Sequence, residues 1–246
     1  MSGTIEKPVK ILVLDVGGSH VKCFANDRKR QCRFESGDRM SADEMVKEVL
    51  KLTRGWRYDA VSIGYPGVVR GGAIAREPHN LGRGWIGFDF QAAFGRPVRI
   101  VNDAAMQALG AYQGGHMLFL GLGTGLGSAL IVDGVIAAME LGHLRYGNGR
   151  DYEHYVGNRG RKRLGGKKWR AKVHEVVLEF RDALLPDDIV LGGGNVHRLK
   201  RLPPHTRRGG NHDAFQGGLR LWDQPGLKRA KSAIKGPRGK STRQAD

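Results

Sequence analysis

The feature that most constrains the fold is a glycine-rich turn between two apolar runs, at residues 119–131. Glycine stands at every second position of this turn, at Gly121, Gly123, Gly125 and Gly127. Glycine permits positive φ and lets a ligand approach the backbone closely, and successive exposed N–H groups form a concave anion site. The pattern therefore predicts either a phosphate-binding turn or a tight β-hairpin without a ligand.

A second turn of the same kind follows the apolar strand predicted at residues 11–16. Two glycines and a serine occupy residues 17–19, and the next predicted strand carries Lys22. Asp15 ends the first strand and can hold Mg²⁺ through water, because Mg²⁺ keeps much of its hydration shell. Two such turns indicate one phosphate chain held between two similar lobes. Neither turn has the P-loop or the dinucleotide-binding pattern.

Hydrophobic periodicity predicts an α/β protein in which the order of elements repeats. The first half contains three strands, a helix that begins after Ser41, another strand, and a strand at 98–101 that runs into a helix from about Ala104. The second half repeats this order, with a long helix predicted at 168–184. Strands joined by helical crossovers indicate a mixed sheet in each half.

The net charge of +17 is the outlier of the composition. It implies a polyanionic partner, which can be nucleic acid, an anionic membrane surface or an inorganic polyanion. The basic residues concentrate at 159–172 and beyond Gly226, and a solvated face without function is the alternative for each run. Because Gly, Pro, Lys and Arg dominate beyond Gln224, we expect residues 224–246 to form a disordered basic tail.

Other sequence features exclude several classes of protein. No apolar run is long enough to span a bilayer, and the N-terminal residues lack the apolar core of a signal peptide. Cys23 and Cys32 are the only cysteines, and they fit neither a metal nor a redox spacing. We therefore expect reduced thiols and a cytoplasmic protein that does not associate with membranes. Few aromatic residues interleave with the basic ones, which argues against a nucleic-acid stacking platform.

Several motifs occur in one order along most of the chain before residue 200. They are Asp15-Val-Gly-Gly-Ser-His-Val-Lys22, Gly64-Tyr-Pro-Gly67, Asn102-Asp-Ala104, Gly123-Thr-Gly-Leu-Gly127, Glu140-Leu-Gly-His143 and Gly192-Gly-Gly-Asn195. The combination resembles the ROK family (repressors, open reading frames and kinases). This resemblance implies an actin-like fold of two ribonuclease-H-like lobes around a cleft. We expect lobes at 1–112 and 113–211, with a helix at 212–223 that packs back on the first lobe.

Within this family the chain is most similar to polyphosphate glucokinases. The similarity lies in Asp151-Tyr-Glu-His-Tyr-Val-Gly157, in the basic run after it, and in Lys167-Lys-Trp169. ROK members usually carry a cysteine-rich zinc loop after the Glu-x-Gly-His motif, but residues 145–153 contain no cysteine. A closed structural zinc site needs four ligands, so we expect none here.

The resemblance and the residue chemistry together assign a role to each candidate. Asp103 can accept the proton of a sugar hydroxyl as that hydroxyl attacks phosphorus, and an N-cap for the following helix is its alternative role. Mg²⁺ near Asp15 would neutralise charge on the phosphoryl oxygens. The candidates for sugar binding are Asn80, Asn102, Asp103, Glu140, His143 and Glu153. The candidates for phosphate binding are Asp15, Gly17, Gly18, Ser19, Lys22, Gly123, Thr124, Gly125, Gly127, Gly193 and Gly194.

The reaction implied by the resemblance is phosphorylation of glucose at its 6-hydroxyl, with inorganic polyphosphate or ATP as donor and Mg²⁺ as cofactor. The basic run at 159–172 would bind polyphosphate with an affinity that falls as salt rises. One alternative is an ATP-dependent hexokinase for mannose or an amino sugar. Others are a polyanion-binding protein and a sugar-responsive ROK regulator, which carries an N-terminal helix-turn-helix domain. Because the first strand begins at Ile11, we favour the enzyme, and we expect a homodimer.

Overall fold

The computed structural model describes residues 10–26, 31–210 and 212–223, so the predicted tail at 224–246 lies outside the described residues. The first half contains β1 Ile11–Val16, β2 His20–Ala25, β3 Cys32–Glu35, α1 Ala42–Leu52, β4 Ala60–Tyr65, β5 Val69–Arg70, β6 Ala73–Ile74, α2 Phe90–Phe94, β7 Val98–Asn102 and α3 Asp103–Ala111. The second half contains β8 His116–Leu122, β9 Leu126–Val132, β10 Val135–Met139, β11 Arg145–Tyr146, β12 Arg150–Asp151, α4 Tyr152–Val156, α5 Asn158–Leu184, β13 Asp188–Gly192, β14 Thr206–Arg208 and α6 Asp213–Arg220.

The two main sheets have the same topology. The strand order is β3-β2-β1-β4-β7 in the first sheet and β10-β9-β8-β13-β14 in the second. In each sheet the first three strands pair antiparallel and the last three pair parallel. The predicted α/β class and the repeated order of elements are therefore confirmed.

Each sheet has a hydrophobic core of its own. Leu12 and Ile63 of the first sheet are buried with Met45 of α1 and with Trp85. Leu118 and Leu191 of the second sheet are buried in another cluster with the apolar side of α5, which consists of Trp169, Val173, Val176, Val177 and Phe180. Within the described ranges, no helix is both long enough and apolar enough to cross a bilayer.

A third core is shared by both sheets and contains α3 and α6. Val13 of β1 and Phe119 of β8 are buried there with Met106 of α3 and Ala214 of α6. Because α3 begins directly after β7, this shared core fixes the first residue of α3 relative to both halves.

The helices α3 and α6 cross with their backbones in contact. A Cβ atom at Gly110 would lie 1.8 Å from the carbonyl oxygen of Asp213, and one at Gly217 would lie 1.7 Å from that of Met106. Only glycine permits so close an approach. Ser62 Oγ of β4 also donates to the carbonyl oxygen of Gly218 at 2.6 Å, so α6 contacts the first sheet as well.

The start of α5 differs from the prediction, which placed the helix at 168–184. The helix begins at Asn158 and is broken at Gly165, where φ is 73°. Glycines and clustered positive charge weaken helix propensity here, but tertiary contacts hold the segment. The Asn158 N–H donates to the carbonyl oxygen of Thr124 at 3.0 Å, and Trp169 Nε1 donates to that of Val156 at 2.8 Å. The basic run is therefore helical, and the helix starts in contact with the second glycine turn.

Candidate active site

The two predicted glycine turns occupy equivalent positions in the two sheets. Residues 17–19 connect β1 to β2, and residues 123–125 connect β8 to β9, which is the corresponding strand pair of the second sheet. The second turn is thus a β-hairpin. The repeated fold presents the same kind of turn from each half.

In the first turn, the carbonyl groups are bonded and adjacent amides are free. Ser36 Oγ donates to the carbonyl oxygen of Gly17 at 2.6 Å, and the Ser36 N–H donates to that of Ser19 at 3.0 Å. The N–H groups of Gly18 and Ser19 have no hydrogen-bond partner among the described residues. Adjacent unpaired amides are the donors that bind a phosphate group.

The second turn is built in the same way. The carbonyl oxygen of Gly123 accepts from Asn195 Nδ2 at 3.1 Å, and that of Thr124 accepts from the N–H of Asn158. Asn195 is only 5% exposed, and its Nδ2 also donates to Asn158 Oδ1 at 3.0 Å. In the described part of the chain, the N–H groups of Thr124 and Gly125 meet no acceptor. This turn therefore presents a second pair of free amides.

The other glycine candidates surround the second turn. A Cβ atom at Gly127 would lie 2.9 Å from Ala104 Cβ, so the hairpin packs on the start of α3. Gly193 packs on the backbone of Leu122, whereas Gly194 is exposed and has open space around its Cα. Of this group, Gly194 is the residue that a ligand can reach, and Gly127 and Gly193 position the turn.

Asp15 and Lys22 face each other across β1 and β2, with Lys22 Nζ 3.2 Å from Asp15 Oδ2. Mg²⁺ is commonly held by one or two carboxylates together with waters and substrate phosphates. The Asp15 carboxylate is 13% exposed, and Asp15 is the penultimate residue of β1, just before the turn with the free amides. Over the described ranges, no three His, Cys, Asp or Glu side chains converge as direct metal ligands. Asp15 therefore fits a hydrated Mg²⁺ that also binds the substrate.

Asn102, and not Asp103, caps α3. Asn102 Oδ1 accepts from the N–H groups of Ala104 at 2.9 Å and Ala105 at 3.3 Å, and its Nδ2 donates to the carbonyl oxygen of Gly67 at 3.1 Å. The alternative role of Asp103 as N-cap is therefore wrong, because the preceding residue fills it. Any sugar contact of Asn102 must be made in addition to these bonds.

Asp103 is the first residue of α3, and its carboxylate accepts from the Ala104 N–H at 2.8 Å. Its pKa is raised from 3.8 to about 7, chiefly because burial disfavours the charged form and because Asp15 and Glu140 are negatively charged. A general base works best when its pKa lies near the operating pH. In the folded structure, the negative charges of Asp15 and Glu140 thus act on the Asp103 carboxylate.

Three more sugar candidates lie together. His143 Nδ1 is 3.4 Å from Glu140 Oε2, and His143 Nε2 is 3.8 Å from Glu153 Oε2. Glu153 Oε2 also accepts from the N–H of Leu126 at 3.3 Å. All three side chains are 40–49% exposed. They form a row of hydrogen-bonding groups that is open to solvent and suited to a polyol.

Glu153 of the sugar cluster (Glu140, His143 and Glu153) contacts the second glycine turn, and Asn80 contacts the first. A Cβ atom at Gly125 would lie 2.0 Å from Glu153 Oε2, so this carboxylate crosses directly over the second turn. A Cβ atom at Gly18 would lie 2.8 Å from Asn80 Cβ, which places Asn80 beside the first turn. Each glycine turn therefore has a sugar candidate beside it.

An aromatic cluster, which the sequence did not indicate, supports Glu153. Tyr146 stacks on Tyr152 of α4, with ring centroids 4.4 Å apart. The Tyr146 hydroxyl donates to Glu175 Oε1 of α5, and Lys172 Nζ donates to the Tyr146 hydroxyl at 3.1 Å. The cluster therefore connects α4 to α5 through Tyr146. Because Glu153 follows Tyr152 on the short α4, the cluster also holds Glu153 in position relative to α5.

Sequence reasoning also missed two residues beside the second turn, Asn158 and Arg198. Arg198 Nε donates to Asn195 Oδ1 at 3.2 Å. The signal in the sequence was weak, because Arg198 follows the Gly192-Gly-Gly-Asn195 motif by three residues and resembles any surface arginine. By contrast, Arg207 and Arg208 are bonded within the fold, to Asp188 and to the carbonyl oxygen of Leu199.

Comparison with known proteins identifies the family. The model of the ROK family matches residues 11–160. The polyphosphate glucokinase of Mycobacterium tuberculosis (strain CDC 1551 / Oshkosh) is 29% identical over 215 residues, which cover 78% of this chain and 80% of that protein.

Solved structures share the fold. The inorganic polyphosphate/ATP-glucomannokinase of Arthrobacter sp. strain KM has a TM-score of 0.74 at 23% identity, covering 89% of this chain and 99% of that one. A ROK family glucokinase of Streptomyces griseus, in complex with glucose and AMPPNP, has a TM-score of 0.72 at 17% identity, covering 86% and 98%. The fold is thus the actin-like fold that the motifs implied. Because the family model also spans more than half of the sequence, the chain belongs to the ROK family.

Proposed function

We propose that the protein makes glucose 6-phosphate from glucose, with inorganic polyphosphate as the phosphoryl donor and ATP as a second donor. The observation that carries this proposal is the position of Asp103. It lies at the start of α3 with a pKa of about 7, and it shares its electrostatic environment with Asp15 near the first glycine turn and with Glu140 of the sugar cluster. The names of the relatives support the same substrates.

In the proposed mechanism Asp103 acts as general base. The 6-hydroxyl oxygen of glucose forms a bond to the terminal phosphorus of the donor while its proton passes to the Asp103 carboxylate. The P–O bond to the rest of the donor breaks, and its electron pair leaves with the shortened phosphate chain. Glu140, His143 and Glu153 orient the sugar through its other hydroxyls, because all three are open to solvent and His143 lies 3.4 Å from Glu140 and 3.8 Å from Glu153.

The free amides of the two glycine turns hold the phosphoryl groups in this proposal. Gly18 and Ser19 contribute from one half, Thr124 and Gly125 from the other, and Lys22 adds positive charge. Asp15 would hold Mg²⁺, which neutralises charge on phosphoryl oxygens when it is bound. Phosphoryl transfer depends mainly on such positioning and electrostatics.

Steady-state product formation tests the proposal. Purified protein is assayed with glucose, mannose and glucosamine, each with long-chain polyphosphate or ATP as donor. We expect the highest kcat/KM for glucose with polyphosphate. Preference for ATP with mannose or an amino sugar would favour the alternative hexokinase. No turnover with any pair, together with sugar binding, would favour a regulator.

We include a cytoplasmic location and a homodimer in this proposal. The location is supported by the single pair of cysteines in the sequence, which form no disulfide in the structure. Light scattering at working concentration tests the assembly, and a monomer would remove the dimer from the proposal.

A further inference from the structure

Two arginines are anchored by the asparagine pair that supports the second glycine turn, one by each asparagine. Arg161 of α5 donates through Nε to Asn158 Oδ1 at 3.3 Å. Arg198, which ends the 3-10 helix Val196–Arg198, donates through Nε to Asn195 Oδ1 at 3.2 Å. The two asparagines are themselves bonded at 3.0 Å, and they bind the carbonyl groups of the turn.

This network leaves the terminal nitrogens of both guanidinium groups available. In the described part of the chain, neither Arg161 nor Arg198 makes a hydrogen bond or an ion pair through Nη1 or Nη2. Arg198 is exposed, and Arg161 is partly exposed. An anchored guanidinium loses less conformational entropy when it binds an anion, because its planar fork is already oriented.

Neighbouring cations lack this arrangement. Arg163, two residues after Arg161, donates through Nη2 to the carbonyl oxygen of His154 at 2.9 Å and lies over the ring of Tyr155. Lys162, Lys167 and Lys168 are exposed. Within the basic run at 159–172, the structure therefore distinguishes the anchored Arg161 from Arg163, which is bonded within the fold, and from the exposed lysines Lys162, Lys167 and Lys168.

We propose that Arg161 and Arg198 form a second anion subsite, which holds the phosphate groups of the donor that follow the group bound by the amides of Thr124 and Gly125. This inference rests on the proposed function and deepens it. Guanidinium groups pair with the paired oxygens of phosphate in a bidentate way. Two guanidinium groups beside one pair of free N–H groups match a linear phosphoanhydride of three or more phosphate groups. These arginines therefore set the preference of the protein between phosphoryl donors.

Calorimetric titration with tripolyphosphate tests the subsite without requiring turnover. We expect Arg161→Gln and Arg198→Gln each to weaken binding about tenfold, because each variant removes a charged donor from the phosphate chain; tenfold corresponds to about 1.4 kcal/mol. The double variant should lose more, and Arg198→Lys should recover only part of the affinity. Orthophosphate binding should change less than about threefold in all variants, because the turn amides remain.

Arg201→Gln is the matched control. Arg201 is exposed and lies three residues beyond Arg198, so its loss should change tripolyphosphate binding by less than about twofold, as is usual for solvated charges. Equal weakening by Arg201→Gln, or wild-type binding by the double variant, would overturn the subsite. Wild-type-like binding by Arg198→Lys would also contradict the bidentate geometry.

Kinetics separate this inference from the proposed function. In the double variant the KM for polyphosphate should rise while the KM for glucose stays within about twofold, because exposed charges far from the sugar contribute little. If the protein binds tripolyphosphate but turns over no sugar, the proposed function is wrong and the proposed subsite still holds. If the double variant turns over sugar with an unchanged KM for polyphosphate, the subsite proposal is wrong and the proposed function still holds.

Discussion

Asn102 and Asp103 are adjacent but have different positions at the start of α3. Asn102 Oδ1 caps the helix by accepting from Ala104 and Ala105, whereas the Asp103 carboxylate lies near Asp15 and Glu140 and has a raised pKa. Since the cap is provided by its neighbour, Asp103 is not needed to begin the helix. A half-buried carboxylate that lies near two others, and that the helix does not need as its cap, points to chemistry.

The first prediction concerns Asp103→Asn. This variant keeps the shape of the side chain and removes the base, so turnover should fall by about 10²–10⁴-fold, the usual contribution of general base catalysis. The glucose dissociation constant should stay close to wild type, and so should the melting temperature at pH 4, where the folded wild type also carries an uncharged side chain. Initial rates, thermal melts and calorimetry measure these quantities, and near-wild-type turnover would remove Asp103 from the mechanism.

The second prediction is the pH dependence of activity. The raised pKa of Asp103, about 7, means that the base form is lost as pH falls through 7. The value of kcat/KM should therefore rise with pH with an apparent pKa near 7. Glu140→Gln should move this apparent pKa downward, because it removes a negative neighbour. A profile that is flat between pH 6 and 8 would contradict the assignment.

The same shift predicts a pH dependence of stability. Because the pKa of Asp103 is higher in the folded state than the ordinary 3.8, its proton stabilises the fold at low pH, and this contribution is lost as pH rises through about 7. The side chain of Asp103→Asn does not titrate. The difference in melting temperature between this variant and wild type should therefore shift in favour of the variant as pH rises from 4 to 8. Parallel curves for the two proteins would show that Asp103 titrates normally.

The third prediction is that the protein contains no stoichiometric zinc. Cys23 and Cys32 face each other across β2 and β3 in the first half, and His143 has Glu140 and Glu153 near its two ring nitrogens. We expect metal analysis of the purified protein to find far less than one zinc per chain, and a chelator to leave the melting temperature unchanged. One tightly held zinc per chain would restore the usual ROK pattern.

The fourth prediction assigns Tyr146 a positioning role. Tyr146→Ala removes both the stacking on Tyr152 and the bonds to Lys172 and Glu175, so Glu153 should lose its fixed position. The KM for glucose should rise while the KM for the donor stays unchanged. Tyr146→Phe keeps the ring, which is expected to rescue most of the loss. Equal changes in both KM values would indicate a general loss of structure.

The fifth prediction concerns the solvated lysines of α5. Changing Lys162, Lys167 and Lys168 to Gln should raise the KM for long polyphosphate modestly and leave the KM for ATP unchanged, because each exposed contact contributes at most about 1 kcal/mol. The effect should vanish at high salt, where the Debye length is about 3 Å at 1 M. A Lys47→Gln, Lys51→Gln variant of α1 is the control. An effect that persists at high salt would mean that these lysines bind in a defined geometry.

The sequence by itself determined the features that depend on neighbours along the chain. Apolar runs that end in glycine predicted the turns after β1 and β8, and the same repeated pattern predicted two similar sheets. The order of the motifs was sufficient to identify the family. These signals are readable because glycine and hydrophobic periodicity act within a few residues.

Only the tertiary structure decided which of two similar residues performs which task. Asn102 and Asp103 are both good capping residues, and the contacts of α3 select Asn102. Arg161 and Arg163 belong to one basic run. Arg163 donates a hydrogen bond to α4, whereas Arg161 donates one to Asn158 of the asparagine pair. The bond between Asn195 and Gly123 joins residues 72 positions apart. The raised pKa of Asp103 likewise arises from burial and from the charges of Asp15 and Glu140, which are distant in the chain and which no local pattern encodes.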